Sequence, residues 1–229
     1  MIIDVIMLSG SHDAEAVDMT QKAIDSLLTS ESGIEFNLIL VESQFSSKDA
    51  LEAQGIDYAA DKLIFPCEDK FNYNKFINYA IPFLKGEYVV ISNNDVVFYP
   101  NWATNALSQM ATHSLQSCSC ISPGWFLHDQ YQTLQNPVLG FSTSTLFCGW
   151  NLIFERAVFD QLCPLDEQFD YCFQDNDLAE QLQKLGCRHA LIPTAKVRHL
   201  VSRSRRYFNQ DQFDRDFRAA QERFQNKWS

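Results

Sequence analysis

Short apolar segments that alternate with helical patterns constrain the fold of this chain more than any other feature. Ile2 to Leu8, Phe36 to Val41 and Glu87 to Ser92 are apolar enough to form buried strands. Between them, apolar residues recur at intervals of three and four, as they do in amphipathic helices. Strands that alternate with helices pair mainly in parallel and are covered on both faces. The sequence therefore predicts an α/β fold with a mainly parallel central sheet and helices on both faces.

The length of the chain indicates one domain. At 229 residues it is long for a minimal domain and short for two independent ones. We divide the single domain 1–229 into a regular part at 1–112, a less regular part at 113–199, and a basic loop with a C-terminal helix at 200–229. Residues 129–145 carry almost no charge and are predicted to form a long loop, which in compact domains is often functional.

Composition narrows the class of protein. No apolar run reaches the roughly 20 residues that a membrane-spanning helix requires, and the first apolar stretch is too short for a signal peptide. The seven cysteines do not have the spacing of a disulfide framework or a zinc site. We therefore expect a cytoplasmic protein with buried thiols. The net charge of −11 argues against broad adhesion to nucleic acid or anionic lipid, although Arg203, Arg205 and Arg206 form a local basic segment.

Polar residues follow the predicted strands where these strands end. Ser9, Glu42 and the segment Asn93 to Asp95 come directly after apolar runs. In a parallel sheet these ends share one rim, where ligands collect. Asp95 could hold a divalent cation there, because hard cations prefer oxygen ligands; a polar turn is the more common explanation of such a tripeptide. The chain contains no glycine-rich fingerprint for phosphate, so a nucleotide would be held in another way.

A second acidic cluster opens a helix that is predicted near residues 177–185. Asp175 or Asp177 could serve as a general base that takes a proton from a hydroxyl group. Aspartate also caps helices well, and we assign Asp177 mostly to capping and Asp175 mostly to chemistry. His199 follows another predicted strand. A neutral imidazole can complete the coordination of a metal, although a histidine of this kind is more often structural.

Together these segments resemble the family 2 glycosyltransferases, which have the Rossmann-like GT-A fold. The resemblance covers most of the chain and depends on the order and spacing of the motifs, since no single motif is specific. These motifs are Asn78, Gly86-Glu87-Tyr88, Asn93-Asn94-Asp95-Val96, Gly149, Phe154-Glu155-Arg156, Phe159-Asp160, Leu165 to Phe169, Asp175-Asn176-Asp177-Leu178, Gly186 and Val197-Arg198-His199.

The resemblance implies a donor site for a nucleotide-diphospho-sugar, with a UDP-sugar as the default, in residues 1–112. It implies that Asp95 and His199 hold Mn²⁺ or Mg²⁺, with Asn93 standing where many family members have a first aspartate. Glu42 would touch the nucleobase. The other residues assigned to the donor site are Leu8, Ser9, Gly10, Asn78, Asn93, Asn94, Arg203, Arg205 and Arg206. The three arginines would fold over the diphosphate as a mobile loop, and an ordinary solvated loop explains them equally well.

The resemblance also implies an acceptor and catalytic part in residues 113–199. Asp175 would be the catalytic base, with Gln174 in place of the usual acidic neighbour. Trp125 and Trp150 are candidates to stack on a sugar, and packing in the core is the alternative for both. Gly149 and Asp166 are assigned to the acceptor side as well.

We therefore predict an inverting glycosyltransferase, a hexosyl- or pentosyltransferase, that acts on a hydroxyl acceptor such as a saccharide. A nucleotidyl-transferring relative is one alternative. A non-catalytic sugar-binding relative with a degraded site is another, suggested by Asn93 and Gln174. A glycosyltransferase of hydroxymethylated DNA bases is a minority hypothesis, because the net charge argues against a nucleic-acid partner.

The C-terminal helix carries aromatic residues on one face. Phe213, Phe217, Phe224 and Trp228 share this face, which we expect to pack on the domain. A homodimer contact or a peripheral membrane contact is the alternative use of the same face.

Overall fold

A mixed sheet of nine strands forms the centre of the computed structural model, which describes residues 1–200 and 210–229. The strands are β1 (Ile2–Ser9), β2 (Glu35–Glu42), β3 (Lys62–Ile64), β4 (Tyr88–Asn93), β5 (Val96–Phe98), β6 (Ser117–Ile121), β7 (Val138–Leu139), β8 (Asn151–Glu155) and β9 (His189–His199). The helices are α1 (Ala14–Thr29), α2 (Lys48–Glu52), α3 (Tyr73–Ala80), α4 (Trp102–His113), α5 (Arg156–Leu162), α6 (Gln174–Lys184) and α7 (Gln210–Trp228). Two short 3₁₀ helices span Ile81–Phe83 and Phe126–Tyr131.

The order of the strands is β3-β2-β1-β4-β8-β6-β9-β5, and β7 pairs with β9. The four strands from β3 to β4 are parallel throughout. Strand β8 then enters antiparallel to both of its neighbours, and β6 and β9 return to a parallel pairing. The predicted α/β class is confirmed. The parallel pattern is purest in the first half, where strands and helices alternate most regularly in the sequence.

Helices cover both faces of the sheet because side chains alternate along each strand. On β1, Ile3, Val5 and Met7 pack with the buried side chains of α1 and α4. Ile6 and Leu8, which point to the opposite face, pack with those of α3, α5 and α6. Strands that are buried on both faces explain the continuous apolar runs of the sequence.

Strand β9 is longer than the sequence indicates. Pro193 lies inside it, although proline lacks the N–H that a ladder needs. The structure places a register shift at this point, so that Cys120 is opposite Ile192 and Ile121 is opposite Lys196. The proline therefore falls in an irregular part of the pairing. The strand can therefore continue to His199 at the rim of the sheet.

The aromatic face of α7 packs on the domain, as predicted. Phe213 contacts Tyr171, with ring centroids 6.1 Å apart, and Phe224 contacts Phe169 at 6.4 Å. The face that suggested a dimer or membrane contact is therefore used largely within the chain. No helix in the described part of the chain is long and apolar enough to cross a membrane. All seven cysteines are free thiols, but only four of them are buried: Cys67 is exposed and Cys163 and Cys187 are partly exposed, contrary to the expectation of buried thiols.

Candidate functional site

A cavity of about 780 Å³ opens at the carboxyl ends of β1 and β4. It lies where the parallel half of the sheet meets β8, the start of α6 and the start of α7. The predicted site residues that line it are Leu8, Ser9, Gly10, Asn93, Asn94, Asp95, Trp125, Gly149, Trp150, Asp175 and His199. Arg203, Arg205 and Arg206 lie outside the described residues. The rim of the sheet thus brings together residues that are far apart in the chain.

Asp95 and His199 form a buried pair in this cavity. The Asp95 Oδ1 and His199 Nε2 atoms are 3.3 Å apart, and both side chains are only 7% exposed. Strands β5 and β9 set this distance, because Val96 pairs directly with His199. Ser122 Oγ accepts a hydrogen bond from the His199 backbone N–H at 2.9 Å. The Trp150 ring stacks on the imidazole, with centroids 4.8 Å apart and 7° between the planes.

The pair presents polar atoms that the protein does not use. Asp95 Oδ1 and both ring nitrogens of His199 are buried without a hydrogen-bond partner among the described residues. Buried polar atoms are normally paired, so unpaired ones indicate a place for water, an ion or a ligand. A carboxylate oxygen and an imidazole nitrogen are suitable ligands for a divalent cation. No group of three or more His, Cys, Asp or Glu side chains that could hold a metal occurs in residues 1–200 and 210–229.

Asp175 also lines the cavity, at the second position of α6. Burial raises the pKa of its carboxyl group to about 6. The lack of a side chain at Gly149 leaves room for the Asp175 carboxylate, because a Cβ atom at residue 149 would overlap it. Phe173, just before α6, has a left-handed backbone conformation with φ of 65°. Such a conformation is unfavourable for a bulky residue, and strain of this kind is often concentrated at functional sites.

The donor side of the rim is held by paired side chains. Thr20 on α1 is the centre of this arrangement: its Oγ1 is 3.0 Å from Ser9 Oγ and accepts a hydrogen bond from Asn94 Nδ2 at 2.8 Å. The Ser43 backbone N–H donates to the Ser9 carbonyl oxygen at 3.0 Å. The ends of β1, β2 and β4 are therefore tied together before any ligand binds.

Glu42 is not among the residues that line the cavity, and its assignment to the nucleobase stays a prediction. Its side chain is fully buried. Its Oε1 atom accepts hydrogen bonds from the backbone N–H groups of Ser11 and Gln44, and its Oε2 atom accepts one from Ser11 Oγ at 2.8 Å. Glu42 thus shapes the loop that follows β1.

Asn78 and Asp166 are also not among the residues that line the cavity, and their assignments to the donor and acceptor sides stay predictions. The Asn78 side chain pairs with both backbone groups of Leu165, at 2.8 Å and 2.9 Å. Asp166 Oδ2 is 2.8 Å from Lys227 Nζ on α7. Both residues belong to the motifs of the family resemblance, yet here they fix the loop before α6.

The sequence suggested that Asp177 caps α6, but the structure shows that it does not. The helix begins earlier, at Gln174, so Asp177 lies inside its first turn. The carboxylate is buried and receives Trp228 Nε1 at 2.8 Å, Lys227 Nζ at 2.7 Å and Gln181 Nε2 at 2.7 Å. Its role is to attach the end of α7 to α6.

Several aromatic residues of the cavity lining were not predicted as site residues. Tyr73, Tyr171, Phe173 and the α7 residues Phe213 and Phe217 line the cavity, although the last two were expected only to pack. The signal that could have found Tyr171 and Phe173 is their position just before the acidic cluster. Aromatic residues next to a proposed base are candidates for the substrate cleft.

The chain resembles parts of longer proteins in sequence. It is 26% identical, over 218 residues, to the O-antigen biosynthesis protein RfbC of Myxococcus xanthus, covering 82% of this chain and 17% of the relative. It is 23% identical, over 260 aligned positions, to the uncharacterized protein y4gI of Sinorhizobium fredii, covering 99% of this chain and 27% of that protein. The chain thus spans about a quarter or less of these relatives. No protein-family model matches it.

Solved structures resemble the chain in fold. The mannosyltransferase PcManGT of Pyrobaculum calidifontis, solved in complex with GDP-Man and Mn²⁺, superposes with a TM-score of 0.65 at 19% identity, over 88% of this chain and 57% of that one. Residues 1–349 of TarS of S. aureus give 0.64 at 12% identity, over 86% of this chain and 59% of that one. The chain therefore has the fold of these proteins, which confirms the glycosyltransferase-type α/β fold that the sequence predicts.

Proposed function

We propose that this chain is a glycosyltransferase that moves a sugar from a nucleotide-diphospho-sugar to a hydroxyl acceptor. The observation that supports this best is that one cavity is lined both by the Asp95–His199 pair and by the Asp175 carboxylate. A site with separate groups for the diphosphate and for the acceptor proton is what sugar transfer requires. The mannosyltransferase with the same fold, solved with GDP-Man and Mn²⁺, supports a donor of this class.

Asp95 and His199 are the residues that would hold a divalent cation, Mn²⁺ or Mg²⁺. Their unpaired, buried Oδ1 and imidazole nitrogen atoms fit such an ion. When bound, the ion would neutralise charge on the leaving diphosphate. We expect oxygen atoms of the diphosphate to complete the coordination, because divalent cations prefer oxygen ligands. Cation and donor would then bind together.

The nucleoside would lie against Leu8, Ser9 and Gly10 at the end of β1, beside Asn93 and Asn94. We retain the sequence-based proposal that Arg203, Arg205 and Arg206 pair with the diphosphate, since guanidinium groups bind phosphate in a bidentate way. The UDP-sugar donor also stays a prediction, to be tested against a GDP-sugar. The hydrogen bonds of Thr20 keep this half in place without a ligand.

Asp175 is the proposed general base. With a pKa of about 6, its carboxylate is mostly ionised at neutral pH and is more basic than an exposed aspartate. It takes the proton of the acceptor hydroxyl group while that oxygen forms a bond to the anomeric carbon. The bond from the anomeric carbon to the diphosphate oxygen breaks on the opposite face, which inverts the configuration.

Binding of nucleotide sugars would test this function directly. UDP- and GDP-sugars are added with Mn²⁺ or with a chelator, and thermal unfolding is followed. A donor at one hundred times its dissociation constant should add about 2.7 kcal/mol to the free energy of unfolding. Asp95→Asn should lose the metal-dependent part of this gain, whereas Asp129→Asn, which changes a carboxylate outside the cavity, should keep it. If neither nucleotide sugar stabilises the wild-type protein, or if the chelator has no effect, the donor and metal assignments fail.

A further inference from the structure

Five aromatic rings form one continuous wall of the cavity. Each ring contacts the next, with centroid distances of 6.2, 6.1, 6.2 and 5.2 Å. In order along the wall they are Phe71, Tyr171, Phe213, Phe217 and Phe173, and all five line the cavity. The wall ends at Phe173, two residues before the proposed base. Three separate parts of the chain contribute to it, so it is a product of the tertiary fold.

Phe217 differs from the neighbouring aromatic residues of α7. Its side chain is 41% exposed although it faces the cavity. Phe224, two turns later, also contacts Phe173, with centroids 5.4 Å apart, but it does not line the cavity. Both residues therefore support Phe173, but of these two only Phe217 lines the cavity and could contact a bound molecule.

The cavity combines aromatic surfaces with unpaired polar atoms. Trp125 and Trp150 contact each other at 5.5 Å and add further aromatic surface to the lining. Trp150 Nε1 and Gln174 Oε1 are buried without a hydrogen-bond partner among the described residues, one a donor and the other an acceptor. Sugar rings have apolar C–H faces and a rim of hydroxyl groups that donate and accept. This combination of groups therefore suits a saccharide better than an aliphatic chain.

We propose that Phe217 is the platform for a second sugar ring of an oligosaccharide acceptor, whose terminal hydroxyl group lies at Asp175. This inference rests on the proposed function and specifies its acceptor. The reason is the extent of the wall: one sugar ring covers about one aromatic ring, and the wall continues well beyond Phe173. A monosaccharide would leave Phe217 exposed to water, whereas a disaccharide would cover it.

The test measures binding of saccharides in the presence of Mn²⁺ and UDP or GDP, by saturation-transfer NMR and calorimetry. The probes are the methyl glycosides of glucose, galactose, mannose and N-acetylglucosamine, together with disaccharides of the same sugars. At least one disaccharide should bind more tightly than its methyl monosaccharide. Phe217→Ala should weaken that disaccharide about tenfold, the equivalent of one aromatic contact, and leave the monosaccharide within twofold. Phe217→Trp should restore the affinity.

Phe224→Ala is the matched control, because it removes a ring that supports Phe173 but does not line the cavity. It should leave the affinity for the disaccharide within twofold. Equal losses in Phe217→Ala and Phe224→Ala would mean that the helix acts only through packing and would overturn the proposal. The absence of any preference for disaccharides would overturn it too. Binding of UDP or GDP in the same experiments reports on the proposed function separately, so failure there can be distinguished from failure at Phe217.

Discussion

Two parts of the cavity lining differ in how completely their polar groups are paired. On the nucleoside side, at the ends of β1 and β4, Ser9 and Asn94 share the hydroxyl group of Thr20. On the reaction side, where Asp95, His199 and Asp175 lie, Asp95 Oδ1, both ring nitrogens of His199, Trp150 Nε1 and Gln174 Oε1 have no hydrogen-bond partner among the described residues. There the Asp175 carboxyl group also has a raised pKa, and Phe173 has a left-handed backbone.

This difference indicates which part of the cavity lining is expected to lower the stability of the fold in favour of function. A side with satisfied hydrogen bonds is a scaffold that exists before the ligand. Unpaired or strained groups lower the stability of the fold, and the packing of the surrounding residues compensates for this loss. A substitution on the reaction side should therefore often slow turnover while it raises stability. Substitutions on the nucleoside side should show this opposition less often.

Asp175→Asn should produce the largest effect. The amide keeps the size of the side chain but cannot take a proton, so transfer should slow about 10²- to 10⁴-fold. Donor binding, measured by calorimetry, should be nearly unchanged. Because burial disfavours the ionised carboxylate, the variant should also unfold at a higher temperature than the wild type at pH 7.5.

Asp177→Asn is the contrasting substitution on the same helix. It weakens a carboxylate that receives three donors, so it should lower the unfolding temperature and slow transfer much less. If Asp177→Asn abolished transfer and Asp175→Asn did not, the base would be assigned to the wrong residue.

Gly149→Ala should have the next largest effect. The added Cβ atom would overlap the Asp175 carboxylate, which must then move away from its present position. Misplacement of a catalytic group by about 1 Å can reduce the rate about 100-fold. Steady-state kinetics should show the loss in kcat, while donor affinity stays within a few-fold. A kcat within threefold of the wild type would show that the Asp175 carboxylate can move without loss of rate, and would contradict the need for its present position.

The pH dependence of transfer should be smaller but diagnostic. The pKa of Asp175 is raised to about 6, so the active, ionised form is lost as the pH falls below 6. Because this pKa is that of the free protein, kcat/KM should be about tenfold lower at pH 5 than on the plateau above pH 7. The residual rate of Asp175→Asn should lack this limb. A wild-type profile that stays flat down to pH 5 would contradict the raised pKa of the base.

Lys227→Met should have the smallest effect, and it concerns stability. Lys227 Nζ lies 2.7 Å from the buried Asp177 and 2.8 Å from Asp166, so its removal leaves charges without a partner. The free energy of unfolding should fall by about 1–2 kcal/mol in denaturant titrations. Lys22→Met removes a solvent-exposed pair with Asp18 and should change it by less than about 0.5 kcal/mol. Similar losses in both variants would mean that the attachment of α7 is no stronger than a surface contact.

Much of the fold and part of the site could be predicted from local sequence. Asp95 was proposed because an apolar strand ends just before it, and His199 because it follows another predicted strand; the structure places both in the cavity lining. Residues that pair with distant partners could not be placed in this way. Asn78 binds the backbone of Leu165, and Asp177 binds Lys227, and neither partner can be identified from local periodicity. The aromatic wall was missed for the same reason, since its members come from three parts of the chain.

Strand β8 has a consequence for how the protein could be divided. It lies between β4 and β6, and it pairs Ile91 of the first half with Leu152 of the second. A fragment that ends after residue 112 would leave the backbone N–H and C=O groups of β4 unpaired along a long apolar edge. Such edges recruit other strands and lead to aggregation. The two halves of the cavity are therefore distinct in chemistry but not separable as fragments, and a split version of this protein should be cut within 129–137 and expressed as two chains together.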